Sequence, residues 1–174
     1  PRVPSAAGAA NGRALPAGSA HGAGTGPTRL ARAASRWALP LSILSALLYT
    51  FSLPSFLTLH GITPLAFIAL IPLYAVLRYS SYRWALFYGV FFGTLQTLLS
   101  NYWLGTFSLI SLHFAVLILT LEYLLFFTPT LYLLRKFPRA LPWLLPLLWT
   151  GFEFMRSVGF LGYPWGFLGT SQYR

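Results

Sequence analysis

Acidic residues are almost absent from this chain. Glu122 and Glu153 are the only two in 174 positions, and there is no aspartate and no cysteine. Each absence removes a chemistry. Without cysteine there is no disulfide, no thiolate nucleophile and no Cys-ligated metal within these residues. Without aspartate a Ser-His-Asp triad cannot form, and a glutamate in that role would have to find one of three scattered histidines, His21, His60 and His113. Those histidines lack helical HxxxH spacing and a carboxylate neighbour, so no metal site is expected. No phosphate-binding or dinucleotide fingerprint is present, and no cofactor is implied. Charged residues make up only 8% of the chain, against roughly 25% in soluble domains. So little charge cannot cover a surface that faces water.

What is there is apolar. Hydrophobic residues supply 56% and aromatics 18%, which predicts an all-α integral membrane protein. The net charge of +10 does not imply nucleic acid, because the cations form short clusters between apolar runs instead of a basic face on a soluble fold. Residues 1–36 read as a tail with a basic end. Ala, Gly, Pro and Ser fill 20 of its first 28 positions, a composition predicted to be disordered because it cannot bury enough apolar surface to offset ordering entropy. The first residue is Pro1, which suggests a fragment or a misplaced start.

A bundle is expected over residues 37–158, with about five transmembrane helices. From Trp37 to Leu77 no Lys, Arg, Asp or Glu occurs. That run is about twice the roughly 20 residues one span needs. The breakers Pro54-Ser55 and His60-Gly61 divide it into Trp37–Leu53 and Ile62–Leu77, the second carrying Pro72. Trp84–Trp103, His113–Leu134 and Leu141–Met155 follow. Arg29, Arg32 and Arg36, then Arg78 and Arg83, then Arg135, Lys136 and Arg139 all fall on one side if each interval holds two crossings, and the opposite turns contain no cation. The positive-inside rule then places the N-terminus in the cytoplasm and residues 159–174 on the outer face. Trp37, Trp84, Trp103 and Trp143 fall at span ends, as interfacial aromatics do. Gly89 and Gly93 have the GxxxG spacing that admits a neighbouring helix; chance glycines in a Gly-rich chain would look the same.

Few residues can carry chemistry. Glu122 sits in mid-span, where an ionisable group is a functional candidate by default; a structural hydrogen bond to Gln96, Asn101 or a backbone carbonyl is the simpler reading. Glu153 and Arg156 are three apart and share a helix face. They read either as an interfacial ion pair or as a headgroup clamp, since the arginine fork suits phosphate. Gly159-Phe160-Leu161-Gly162 recurs as Gly166-Phe167-Leu168-Gly169 around Tyr163-Pro164-Trp165. Gly turns and a fixed Pro164 predict a compact loop at the membrane surface that presents Trp165; an apolar loop without ligand is the alternative.

The run Trp149-Thr150-Gly151-Phe152-Glu153-Phe154-Met155-Arg156, then Gly162-Tyr163-Pro164-Trp165, then Gly169-Thr170-Ser171-Gln172 resembles bacterial apolipoprotein N-acyltransferase in order and spacing. Upstream, Gly89 to Trp103 is similar to that family's Gly-rich third span, and the likeness covers about residues 37–174. It implies the membrane portion of an enzyme that moves an acyl chain from a phospholipid, through a cysteine thioester, to the free α-amino group of a diacylglyceryl-cysteine lipoprotein in the bacterial inner membrane. The implied partners are the phospholipid donor, the diacylated apolipoprotein acceptor and membrane lipid. The family's Glu-Lys-Cys set belongs to a nitrilase-like domain expected after residue 174, so no catalytic residue is carried over and these residues alone are expected to be inactive. Glu122 departs from a fourth span that is normally apolar. The implied substrate-facing candidates are Trp103, Glu153, Arg156, Gly162, Pro164, Trp165 and Gln172. A catalytically inactive membrane scaffold or lipid-binding subunit competes with this reading. A small transporter fits less well, because no paired repeat is visible.

Overall fold

The computed structural model describes residues 32, 35–54, 60–158, 162–163 and 165–172. The tail up to Arg29 and Pro164 lie outside the described residues. All regular structure among the described residues is helical. The elements are α1 (Ala38–Ser52), α2 (Pro64–Ile68), α3 (Ile71–Tyr79), α4 (Tyr82–Ser100), α5 (Leu104–Phe107), α6 (Leu109–Lys136), α7 (Leu141–Ser157) and a 3-10 turn at Leu168–Gln172. One helix, α6, is long and apolar enough to cross a membrane; α1 and the stretch Pro64–Tyr79 are shorter apolar helices.

α1 buries small and polar side chains and exposes large aliphatic ones. In α1 the inner stripe is Ala38, Ser42, Ser45, Ala46 and Tyr49, at helical spacing, while Leu39 and Leu44 face outward. A water-facing helix shows the opposite pattern. The expected single helix over Ile62–Leu77 is broken at Ala69–Leu70. Pro72 has no N–H to give back to the preceding turn and its ring crowds the carbonyl there, so the helix stops and restarts. The Ala69 carbonyl at the break accepts the Ser45 hydroxyl of α1, which keeps a buried acceptor satisfied. α6 begins four residues before the expected span, because Ser108 caps it by accepting the Ser111 N–H at 3.3 Å.

The core is an aromatic seam where α4 meets α6 and α1. Gly89 and Gly93 lie directly beneath the rings of Phe127 and Tyr123, so close that a Cβ at Gly89 would stand 2.9 Å from Phe127 Cγ. The glycine pair therefore admits α6, as the spacing suggested. Tyr49, Phe92, Tyr123, Phe127, Trp149 and Phe152 join α1, α4, α6 and α7 in one buried cluster. Edge-to-face pairs recur within it, Tyr49 with Trp149 at 5.9 Å and Phe92 with Trp149 at 6.0 Å, the geometry that ring quadrupoles favour.

Candidate functional site

The last turns of α7 carry the chain's only grouping of charged and polar side chains near residues 162–172 among the described residues. Glu153 and Arg156 do not pair with each other. Each turns to a different neighbour, because α7 lies between α1 on one side and α6 on the other.

Glu153 faces α1. Its Oε1 accepts three hydrogen bonds: from the Tyr49 hydroxyl at 2.9 Å, the Trp149 indole N–H at 2.9 Å and the Leu168 backbone N–H at 2.7 Å. The Tyr49 hydroxyl also stands 2.9 Å from the Gly166 carbonyl, so its single hydrogen is shared between two acceptors. Gly166 has φ +73°, a left-handed conformation that glycine adopts without strain. That turn brings both the Gly166 carbonyl and the Leu168 N–H back onto the helices.

Arg156 faces α6. Its Nε donates to Glu122 Oε2 at 3.1 Å, with the arginine side chain 4% exposed and the glutamate 24%. This corrects the expected partners of both groups. Glu122 meets neither Gln96 nor Asn101, and the Glu153–Arg156 ion pair does not form. The guanidinium lies among three rings, 5.5 Å from Tyr123, 5.4 Å from Phe152 and 5.5 Å from Phe167, each a favourable cation–π distance. A charge so enclosed is held by its counterion.

Tyr163 ties the loop to this pair. Its backbone N–H donates to the Arg156 carbonyl at 2.7 Å and its hydroxyl to Asn101 Oδ1 at 2.6 Å. Asn101 is oriented in turn by its Nδ2 donating to the Thr97 carbonyl at 2.9 Å. Burial pushes the Tyr163 hydroxyl above its ordinary pKa, against an opposing effect of the Arg156 charge. Gln96 is consumed elsewhere, its Oε1 accepting the Tyr123 hydroxyl at 2.9 Å.

Of the sequence candidates, Trp103 and Trp165 come together, ring centroids 6.0 Å apart at 60°, beside a cavity of about 650 Å³ that also touches Thr50, Leu53 and Ser100. Trp165 remains 60% exposed. Gln172 lines the same cavities as Glu153, its Nε2 donating to Ser171 Oγ at 2.9 Å. Gly162 is half-buried beside Tyr163 without a positive φ. Sequence reasoning missed Tyr49, offered Asn101 only as a partner for Glu122, and named Tyr163 only as part of the loop motif. The available signal was a lone tyrosine or asparagine in an apolar run, since a buried phenol or amide must find a partner.

Two apolar grooves flank α7. One, of about 640 Å³, runs between α2–α3 and α7 and reaches Glu153. The other, of about 580 Å³, lies between α6 and α7 and reaches the Glu122–Arg156 pair. Both fall within the range typical of small-ligand sites.

Residues 45–174 match the family described as apolipoprotein N-acyltransferase N-terminal domain. Among curated proteins the chain is similar to apolipoprotein N-acyltransferase 1 of Treponema denticola, 30% identical over 139 residues that cover 78% of this chain and 25% of that protein. It is similar to apolipoprotein N-acyltransferase of Borreliella burgdorferi, 31% identical over 135 residues, covering 72% of this chain and 25% of that one. A third, apolipoprotein N-acyltransferase 2 of Treponema denticola, is 32% identical over 131 residues, covering 71% and 24%. The chain thus spans about a quarter of the length of these relatives. No solved structure matches it.

Proposed function

Because the chain belongs to the apolipoprotein N-acyltransferase family, in its N-terminal domain, we propose that it forms the membrane portion of an enzyme that transfers an acyl chain from a phospholipid to the N-terminal diacylglyceryl-cysteine of lipoproteins. Five stretches cross the bacterial inner membrane: α1, the broken pair α2–α3, α4, α6 and α7. The N-terminus is cytoplasmic, and residues 159–174 form a loop on the outer face. Outward-facing leucines over buried serines support lipid contact. So does the clustering of cations at one end, where Arg135 donates to the Ser80 carbonyl at 2.9 Å and thereby sits beside the Arg78–Arg83 turn.

These residues contain no thiol, so their task in this reading is to receive and orient lipid at the outer face. The observation that carries it is the knot at the end of α7. Glu153, Arg156 and Tyr163 hold the loop at the end of α7, where Leu168, Gly169 and Gln172 border the groove that reaches Glu153, with Trp103 and Trp165 beside it. Gly162 belongs to the same loop.

The test is a chimera in which residues 37–172 replace the matching region of a curated relative, in cells depleted of their own enzyme. Appearance of the third acyl chain on a reporter lipoprotein, read by mass, supports the assignment, and Trp165→Ala should lower its rate. The competing reading is a lipid-binding subunit without acyl transfer. A chimera that inserts stably and binds lipid but never acylates would establish that reading instead.

A further inference from the structure

The chain sets 12 lysines and arginines against two acids, and both acids lie toward the end of the bundle that carries the loop. Glu122 is held by Arg156, and Glu153 by Tyr49 and the Leu168 N–H. At the other end the turn from α3 into α4 carries Arg78 and Arg83, and α6 closes with Arg135 and Lys136. All four side chains are exposed. Glu122 stands 13 residues before Arg135 on the same helix, about 20 Å along its axis at about 1.5 Å per residue. Glu153 is 12 residues into α7, about 18 Å from where that helix starts. No acid of this chain therefore neutralises these cations.

Arg135 is fixed in place. Its Nη2 donates to the Ser80 carbonyl at 2.9 Å, and its guanidinium lies 5.3 Å from the centre of the Tyr82 ring. Tyr82 is fixed in turn, its hydroxyl donating to the Thr128 carbonyl at 3.0 Å. One N–H of a fork that carries five is thus spent, and it sets the others beside the turn between Arg78 and Arg83. Ser81 gives α4 no side-chain cap, so first-turn N–H groups and the positive end of the helix dipole stay open next to Arg83. Exposed rings sit among the cations: Tyr79, Trp84, Tyr132 and Phe137. Below them the outward faces continue as Phe87 on α4 and Leu125 on α6, both exposed. Cations interleaved with rings at the edge of an apolar face match a lipid headgroup boundary. A soluble polyanion would leave that apolar face uncovered.

We infer that this end of the bundle binds an anionic phospholipid, its phosphate held by Arg135 and Arg83 with Arg78 beside them, and its acyl chains along the outward faces of α4 and α6. A guanidinium fork suits two phosphate oxygens at once. A headgroup of net negative charge leaves that phosphate unopposed, whereas a zwitterionic head brings its own cation, which the cluster repels. The site lies at the end opposite the loop, so it is separate from any lipid that acyl transfer would bring to Trp165. The inference rests on the membrane reading above and not on acyl transfer.

The full chain in a neutral detergent is titrated with phosphatidylglycerol or phosphatidylcholine of identical acyl chains, and native mass spectrometry reads the bound fraction. Phosphatidylglycerol should bind at least about ten-fold more tightly, since each cation near the headgroup contributes about five-fold. Arg83→Gln and Arg135→Gln should each weaken phosphatidylglycerol binding about five-fold and leave phosphatidylcholine binding unchanged. Arg32→Gln combined with Arg36→Gln removes more charge, ahead of α1, and should change neither. Equal affinity of the native chain for the two lipids overturns the inference, a result that needs no variant to fold. So does an equal loss in the variant lacking Arg32 and Arg36, which would make the attraction a diffuse effect of net charge. Inorganic phosphate at the same concentration should not displace the lipid; displacement would make the occupant a free anion and overturn the lipid assignment. Insertion is scored separately, by carbonate-resistant flotation with liposomes. A chain that inserts without the preference sinks this inference alone, and a chain that does not insert sinks the membrane reading and the inference together.

Discussion

Two helical glycines should respond in opposite directions to the same substitution. At Gly93 an added methyl would overlap the Tyr123 ring at Cγ, Cδ1 and Cδ2. The ring has nowhere to go. It is fully buried, stacked on Phe127 at 6.1 Å with planes 19° apart, hydrogen-bonded through its hydroxyl to Gln96 and covered by the Arg156 guanidinium at 5.5 Å. Overpacking costs about 1–3 kcal/mol. Displacing the ring also forfeits a buried hydrogen bond of about 1 kcal/mol and a cation–π contact of about 0.5–1 kcal/mol. Alanine returns up to about 1 kcal/mol of helix propensity. Gly93→Ala should therefore destabilise by about 2–4 kcal/mol. At Gly151 an added methyl meets nothing within 4 Å, so only the propensity gain remains, and Gly151→Ala should stabilise by up to about 1 kcal/mol. Equilibrium unfolding in mild detergent, followed by circular dichroism, measures both. A Gly93→Ala protein as stable as the original, or a Gly151→Ala protein as damaged as Gly93→Ala, would refute the close approach of α4 and α6.

Glu122→Gln leaves Arg156 enclosed without its counterion and should cost about 2–3 kcal/mol, less than the roughly 3–5 kcal/mol of a fully buried pair because Glu122 is 24% exposed. Strict additivity of Glu122→Gln and Arg156→Gln in the double variant, where about 1–3 kcal/mol of coupling is expected, would dissolve the pair. The Tyr163 hydroxyl has its pKa raised in the folded chain, so the folded state holds that proton to higher pH than the unfolded state. Its contribution is complete below about pH 10 and is lost as pH rises through the folded value; the stability gap between the original chain and Tyr163→Phe should be flat below that point and shrink above it, and a gap that grows with alkalinity would contradict the burial. Since the chain has no cysteine, single cysteines report topology cleanly. In intact cells an impermeant maleimide should label Val158→Cys and leave Ser81→Cys untouched until the membrane is opened, and the reverse pattern would overturn the orientation.

The helices were legible because uncharged runs end at cations and breakers, and α1, α4 and α7 begin and end within about three residues of where those signals lie. The interruption at Ala69–Leu70 was half-legible: Pro72 announces it, but the serine that bonds the Ala69 carbonyl at the break comes from 24 residues earlier. Side-chain partners were not legible. Spacing of three along a helix makes Glu153 and Arg156 neighbours, and local arithmetic can offer no better partner. The actual choice depends on which helices flank α7. Glu122 lies 34 positions before Arg156, and Tyr49 lies 104 before Glu153. Trp103 and Trp165 were both singled out as candidates for separate reasons, one as a span end and one as a loop tip, and only the fold brings their rings together.

The divergence of Glu153 and Arg156 has a mechanical consequence. Leu168 hangs from the Glu153 carboxylate and Tyr163 from the Arg156 carbonyl, so one short loop is tied to two points a single turn apart on α7. Each point is the polar end of a different apolar groove. Glu153 anchors Leu168, and Arg156, three residues on, anchors Tyr163. The loop borders the first of these grooves through Leu168 and Gly169, and the Gly166 turn leads from there to Trp165 beside Trp103. An Arg156–Glu122 pair would be a poor lipid clamp in such an arrangement, because nearly all of its guanidinium surface is already spent on three rings. Its place is to fix the end of α7 whose carbonyl holds Tyr163.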